Sequence, residues 1–389
     1  MSQPAFDPQA VDLGALRGRL SAKYQLYPPD VLPAWVAEMD FPLAAPIAAA
    51  LHAAIDRSDT GYPSGAGVAD ALAAFADRAW GWEIVPTRVL VLADVLTGVA
   101  QSLRSLTEPG DAVVLTPPVY PPFFATVEKA SGRRVVDVPM TGDAQEGYAL
   151  DLDGLAAAFA RPDVTAFVLC SPHNPTGTVP TPTELATIAE LAAEHGVAVV
   201  ADEIHAPLAL PGATHTPYLS VASDDVPAVS LVSASKAWNL PGLKCAQLVA
   251  TAPALRRLRE RVPQEVLHGA GHLGAIAAVA AYRDGGDWLR AVVAAVDVNR
   301  RLLADLLAEH IPGTGYRPPE ATYLAWLDLR AVADGDDPAR VMLERGRVAV
   351  SGGLPFGAGG AGHVRLNLAT SSAVLVEAVT RMARGIDPR

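Results

Sequence analysis

Between about residues 88 and 251, short β-branched runs alternate with Ala/Leu-rich stretches of helical period. The runs are Val89-Leu-Val-Leu92, Ala112-Val-Val-Leu115 and those at 134–138, 166–169, 197–200, 230–232 and 247–250. Alternation of this kind predicts an α/β domain built on a mostly parallel seven-stranded sheet. In such a sheet the chemistry collects beyond the carboxyl ends of the strands. Polar clusters stand at those ends: Thr116-Pro-Pro-Val-Tyr120, Ser171-Pro-His-Asn174-Pro and Asp202-Glu-Ile-His205. Past Trp288 the pattern changes to a long amphipathic segment at 289–310. Apolar runs at 323–329, 347–350 and 364–368 follow, with a helical stretch ending near Gly346 between the first two. This predicts a smaller α+β domain. The expected division is an N-terminal segment (1–45) packing with the small domain, a large domain (46–285) and a small C-terminal domain (286–389).

Half of the 389 residues are hydrophobic, and 32 Gly and 33 Pro are scattered, a globular and not a fibrous composition. A formal charge of −12 speaks against a nucleic-acid or anionic-membrane partner. Cys170 and Cys245 are too few for a disulfide framework or a cysteine-built zinc site, and no metal is expected. The N-terminus lacks a basic stretch followed by an apolar one, and the Ala-rich segment at 275–282 is too short to span a membrane. A cytoplasmic protein is expected.

Lys236 carries the most chemical information. It lies in Ser233-Ala-Ser235-Lys236-Ala-Trp-Asn-Leu-Pro-Gly-Leu-Lys244, directly after an apolar run. An amine desolvated at a strand end loses basicity and becomes a nucleophile toward a carbonyl. The hydroxyls of Ser233 and Ser235, with the second cation Lys244, suit a phosphate dianion. A Schiff-base amine beside a phosphate cradle points to pyridoxal 5'-phosphate (PLP).

Other segments supply the remaining parts. Asp202 ends an apolar run, where a carboxylate needs a partner, and a protonated pyridine nitrogen needs a fixed carboxylate. Asn174 sits in a Pro/Gly-rigid turn from which its amide can donate to the cofactor's phenolic oxygen. Tyr120, in a proline-rich segment, can stack on the ring. His205 is either a neighbour of the phenolic oxygen or a structural histidine. Thr97-Gly98-Val99-Ala100 is expected to open a helix whose free amides bind phosphate. Arg365 has the planar fork that grips a substrate α-carboxylate.

Taken together, these segments resemble the fold-type I PLP enzymes, in particular the cystathionine β-lyase (cysteine–sulfur lyase) branch of the class I/II aminotransferase-like family. The resemblance runs from Trp35-Val-Ala-Glu-Met-Asp-Phe41 to Arg365-Leu-Asn367 and includes Pro118-Val-Tyr-Pro-Pro-Phe123, Cys170-Ser-Pro-His-Asn-Pro175 and Asp202-Glu-Ile-His205. It implies that Lys236 holds the cofactor covalently, Asp202 faces the pyridine nitrogen, Asn174 the phenolic oxygen, Tyr120 the ring and Arg365 the substrate carboxylate. It also implies a homodimer in which Tyr62 reaches the neighbour's phosphate. Glu38 stands where the branch usually has Asp, and Ala237-Trp238 where Thr-Phe is common, positions expected near cofactor or substrate. The implied reaction is α,β-elimination on a sulfur-containing L-amino acid, giving pyruvate, ammonia and a thiol. An aminotransferase uses the same residues, and a PLP-binding regulatory protein keeps the same fold.

Overall fold

The seven β-branched runs pair into one sheet in the computed structural model, which describes residues 6–386. Residues 1–5, part of the stretch read for a leader, lie outside the described residues. The strands are β1 (Val89–Leu92), β2 (Ala112–Leu115), β3 (Arg134–Asp137), β4 (Val164–Cys170), β5 (Ala198–Asp202), β6 (Ala228–Val232) and β7 (Ala246–Ala250). Their order is β1-β7-β6-β5-β4-β2-β3. All neighbours from β6 to β3 are parallel, and β7 runs antiparallel to both β6 and β1.

Burial on both faces explains why the central strands read as continuous apolar runs and not as alternating ones. Val113, Val168, Val200 and Leu231 belong to one core with Val99 and Leu103 of helix α1 (Val95–Leu106). Val114, Phe167, Leu169 and Val199 belong to another, with Leu155, Leu185 and Ile188. Successive residues of one strand therefore serve opposite cores.

Helix α2 (Gly286–His310) leads to a second sheet of β8 (Leu324–Asp328), β9 (Ser351–Gly352) and β10 (His363–Asn367), ordered β8-β10-β9 and antiparallel throughout. The glycine-rich stretch after β9 folds back on itself so tightly that a Cβ at Gly353 would collide with the Gly360 carbonyl. That fold-back seats Phe356 in a buried cluster with Trp326.

Residues near the N-terminus join the two sheets. Leu32–Pro33 pairs in parallel with Val348–Ala349, and Asn367 Nδ2 donates to the carbonyls of Val36 and Glu38 at 2.7 Å each. Lys23, buried, closes this segment through Asp40 Oδ1 at 2.5 Å. The segment at 34–40 is thereby held between the small sheet and the carboxyl edge of the large one. Among the described residues, no helix is long and apolar enough to cross a membrane.

Candidate active site

The carboxyl ends of β4, β5 and β6 open onto a cavity of about 220 Å³. Its wall brings together Lys236, Asp202, Asn174, Tyr120, His205, Ser233, Ser235, Lys244 and Arg365, residues scattered over 245 positions of sequence from Tyr120 to Arg365.

Lys236 lies on a single helical turn, Ala234–Ala237, begun by Ser233, whose side chain accepts from Ser235 N and donates to Cys245 O at 2.7 Å. The turn aims the amine across the cavity, where Nζ donates to Ala37 O at 3.0 Å. Burial, helped by the Arg365 charge and opposed by Asp202, brings the amine down to about 8. A fair share of it is therefore neutral near physiological pH, as a nucleophile requires.

Asp202 is the last residue of a wholly buried strand, and its Oδ1 accepts only from Ile204 N, at 3.1 Å. Among the described residues it forms no ion pair. Burial pushes its carboxyl up to about 7. Such a group gains from a cationic N–H donor. Arg365 presents the opposite case: a buried guanidinium with no carboxylate partner among the described residues. Its Nη1 donates to Asn174 Oδ1 at 2.9 Å, and Nη2 to Trp35 O and Ser351 Oγ at 3.3 Å. Phe356 lies under the guanidinium at 5.2 Å, and Nε has no partner. Burial lowers this group to about 10.

Asn174 is aimed by its loop. His173, buried behind it, holds Thr116 O through Nε2 at 3.3 Å and Thr176 Oγ1 through Nδ1 at 2.9 Å. With Oδ1 engaged by Arg365, the Asn174 amide nitrogen remains to donate. Tyr120 stands edge-on to Phe123, and burial raises its phenol, with the Asp202 charge adding to the effect. His205 is buried and held neutral by desolvation, down to about 3, and its Nδ1 is unpartnered.

The phosphate end differs from the sequence expectation. Helix α1 begins at Val95, two residues before Thr97, and Asp94 caps it by accepting from Thr97 N at 2.8 Å. Gly98 N is already bonded to Asp94 O. Gly98, Val99 and Ala100 sit in the helix body, and a Cβ at Gly98 would collide with Leu231. The leftover amides are those of Val95 and Leu96, which line the cavity with Asp94. An Asp three residues before a Thr is a legible N-cap signal that would have placed the helix start correctly. Lys244 Nζ pairs with Asp94 Oδ2 at 2.9 Å.

Tyr62 does not line this chain's cavity; its side chain is 98% exposed. One further expectation is corrected. Trp238 faces the core, where its indole N–H finds Gly285 O as acceptor and its rings pack on Phe75 and Tyr282. Glu38 accepts from Ser21 Oγ at 2.6 Å and its charge still reaches Lys236, although neither it nor Ala237 lines the cavity. Residues that sequence reasoning missed include Val36 and Ala37, whose contribution is largely backbone, and Ser351, which has no local motif.

PLP fits this donor set. Asp202 is a buried carboxylate awaiting a cation, Lys236 an amine of lowered basicity, and two helix amides stand beside Ser233, Ser235 and Lys244 as an anion cradle.

Comparison with known proteins agrees. A protein of Mycobacterium leprae (strain TN), provisionally named a cystathionine beta-lyase, is 47% identical over 95% of this chain and 96% of its own. Cystathionine beta-lyase PatB of Bacillus subtilis (strain 168) is 36% identical over 91% of this chain and 92% of its own. The crystal structure of cystalysin from Treponema denticola, which contains pyridoxal 5'-phosphate, superposes with a TM-score of 0.90 at 26% identity, covering 96% of this chain and 97% of that one. The model for aminotransferase class I and II matches residues 35–382, and with a lysine, a buried aspartate and a buried arginine converging on one cavity, the chain belongs to that family.

Proposed function

We propose that this protein is a PLP-dependent carbon–sulfur lyase. It converts an L-amino acid with sulfur at Cβ, such as L-cystathionine or a cysteine S-conjugate, and water into a thiol, pyruvate and ammonia. The observation that carries the reading is a pair of unmet charges in one cavity: among the described residues Asp202 forms no ion pair and Arg365 has no carboxylate partner. The names of the relatives supply the choice of reaction.

When bound, PLP supplies an electron sink for negative charge at the substrate Cα. Asp202 would hold the proton on its ring nitrogen, and Asn174 Nδ2 would donate to its phenolic oxygen. The amides of Val95 and Leu96, with Ser233, Ser235 and Lys244, take its phosphate. Lys236 Nζ would anchor it between turnovers. Arg365 grips the substrate α-carboxylate, which fixes the Cα–H bond toward Lys236. Lys236, as a neutral amine, would remove the Cα proton. A proton returns to the leaving sulfur from Lys236 Nζ or from Tyr120 Oη, a phenol that burial keeps protonated.

The same reading makes the protein a cytoplasmic homodimer with shared active sites, in which Tyr62 reaches the phosphate held by the second copy. It also keeps the division into a segment at 1–45, a large domain at 46–285 and a small domain at 286–389. Incubating purified protein with L-cystathionine tests the reaction. Pyruvate and thiol formed without an added 2-oxo acid support the lyase. A strict need for a 2-oxo acid identifies a transaminase, and PLP binding without turnover identifies a regulator.

A further inference from the structure

Tyr323 has no part in the site described above, yet its hydroxyl meets the catalytic amine at one atom. Tyr323 Oη donates to Ala37 O at 3.0 Å, and Lys236 Nζ donates to the same oxygen at 3.0 Å. The tyrosine is fully buried and stands edge-on to His205. Its position is tightly determined. Thr322, immediately before it, is β-branched but held at φ +72°, a region such residues avoid. Thr322 N donates to Leu208 O, Leu324 N to Thr322 Oγ1, and Leu368 N to Tyr323 O at 2.7 Å. Strain enforced immediately before a buried phenol is a pointer to function.

We infer that Tyr323 is a positioning residue for Lys236: by occupying part of the Ala37 carbonyl, its phenol favours the neutral amine of the lysine over the ammonium. The inference rests on the reading that Lys236 carries the cofactor. A hydrogen bond to a charged donor is worth more than one to a neutral donor. An ammonium therefore loses more than an amine when a second donor draws on its acceptor. Other charges also face Lys236. Arg365 and Lys244 oppose a positive amine, Asp202 and Glu38 favour it, and His205 is neutral. Tyr323 adds a neutral donor that works on the same side as Arg365.

The test is the rate of PLP capture by the cofactor-free full chain, followed by absorbance across pH, for wild type, Tyr323→Phe and Lys236→Ala. Titrations of PLP itself are common to all three. Tyr323→Phe is expected to move the capture midpoint upward by about one pH unit and to slow capture near neutrality by about tenfold. Its thermal unfolding in the cofactor-free form should stay near wild type. An unchanged or lowered midpoint overturns the inference. Covalent capture by Lys236→Ala would instead overturn the underlying assignment of Lys236. Should Tyr323→Phe fail to fold, 3-fluorotyrosine placed at 323 keeps the shape and strengthens the donor. It must then lower the midpoint, and no shift overturns the inference.

Discussion

Arg365 Nη1 and Asn174 Oδ1 lie 2.9 Å apart, one from the small sheet and the other from the loop beyond β4. This bond joins the group that would take the substrate carboxylate to the group that would take the cofactor's phenolic oxygen. Two further contacts, to Trp35 O and Ser351 Oγ, fix the plane of the guanidinium. Substrate orientation and cofactor electronics would thus be set by one rigid unit.

Arg365→Lys keeps the charge and loses the planar fork. The expected result is a rise in KM for L-cystathionine of about 10- to 100-fold, the worth of one charge-assisted hydrogen bond, with a smaller change in kcat. Steady-state kinetics check this. Loss confined to kcat would remove Arg365 from substrate binding.

Asp202 gives a pH-dependent stability in the cofactor-free protein. Burial raises its carboxyl from 3.8 to about 7, so the folded chain holds this proton more tightly than the unfolded chain does. The contribution is full below about pH 4 and is lost as pH rises toward 7. Asp202→Asn, uncharged and of similar shape, is expected to match wild type near pH 4. Near pH 8 it should be more stable, by on the order of 2–4 kcal/mol. Urea unfolding at both pH values is the check, and equal stability near pH 8 would contradict the burial of an unpartnered charge.

The phosphate end gives another test. Asp94 caps helix α1 and also pairs with Lys244, so a carboxylate competes with the phosphate for the same cation. Asp94→Asn keeps a capping oxygen and removes the charge. PLP and inorganic phosphate are expected to bind about two- to fivefold tighter, a modest gain because the pair is partly exposed, and the gain should shrink in high salt. Titration at two ionic strengths measures it. Weaker binding would show that Asp94 orients Lys244 instead of competing for it.

Much of this site was legible in the sequence because strand ends announce themselves. Asp202 is a charge closing an apolar run, Lys236 follows another, and Asn174 sits between prolines. The same runs specified the large sheet, since strands buried on both faces must be continuously apolar. Gly98 misled because Thr97-Gly98 reads as the opening of a helix with free amides, whereas the helix begins at Val95. Here the glycine makes room for Leu231 instead, and the free helix amides lie before it. Ala37 was illegible for a different reason. It acts through a backbone carbonyl, which any residue possesses, and only the three-dimensional path from Asn367 to Val36 and Glu38 brings it to Lys236. Tyr323 read as an ordinary strand aromatic, because nothing local reveals that its hydroxyl shares an acceptor with a residue 87 positions earlier.

The central claim is that one amine holds the cofactor, and the chain makes this easy to examine because it has four lysines: Lys23, Lys129, Lys236 and Lys244. Lys23 is buried against Asp40 and Lys244 is paired with Asp94, whereas Lys236 faces the cavity with its basicity lowered. Borohydride reduction of the PLP-loaded protein, followed by digestion and mass spectrometry, locates the modified residue. The expected result is a single pyridoxyl group on Lys236, absent from Lys236→Ala. Label on Lys244, Lys23 or Lys129, with Lys236 unmodified, would contradict the account.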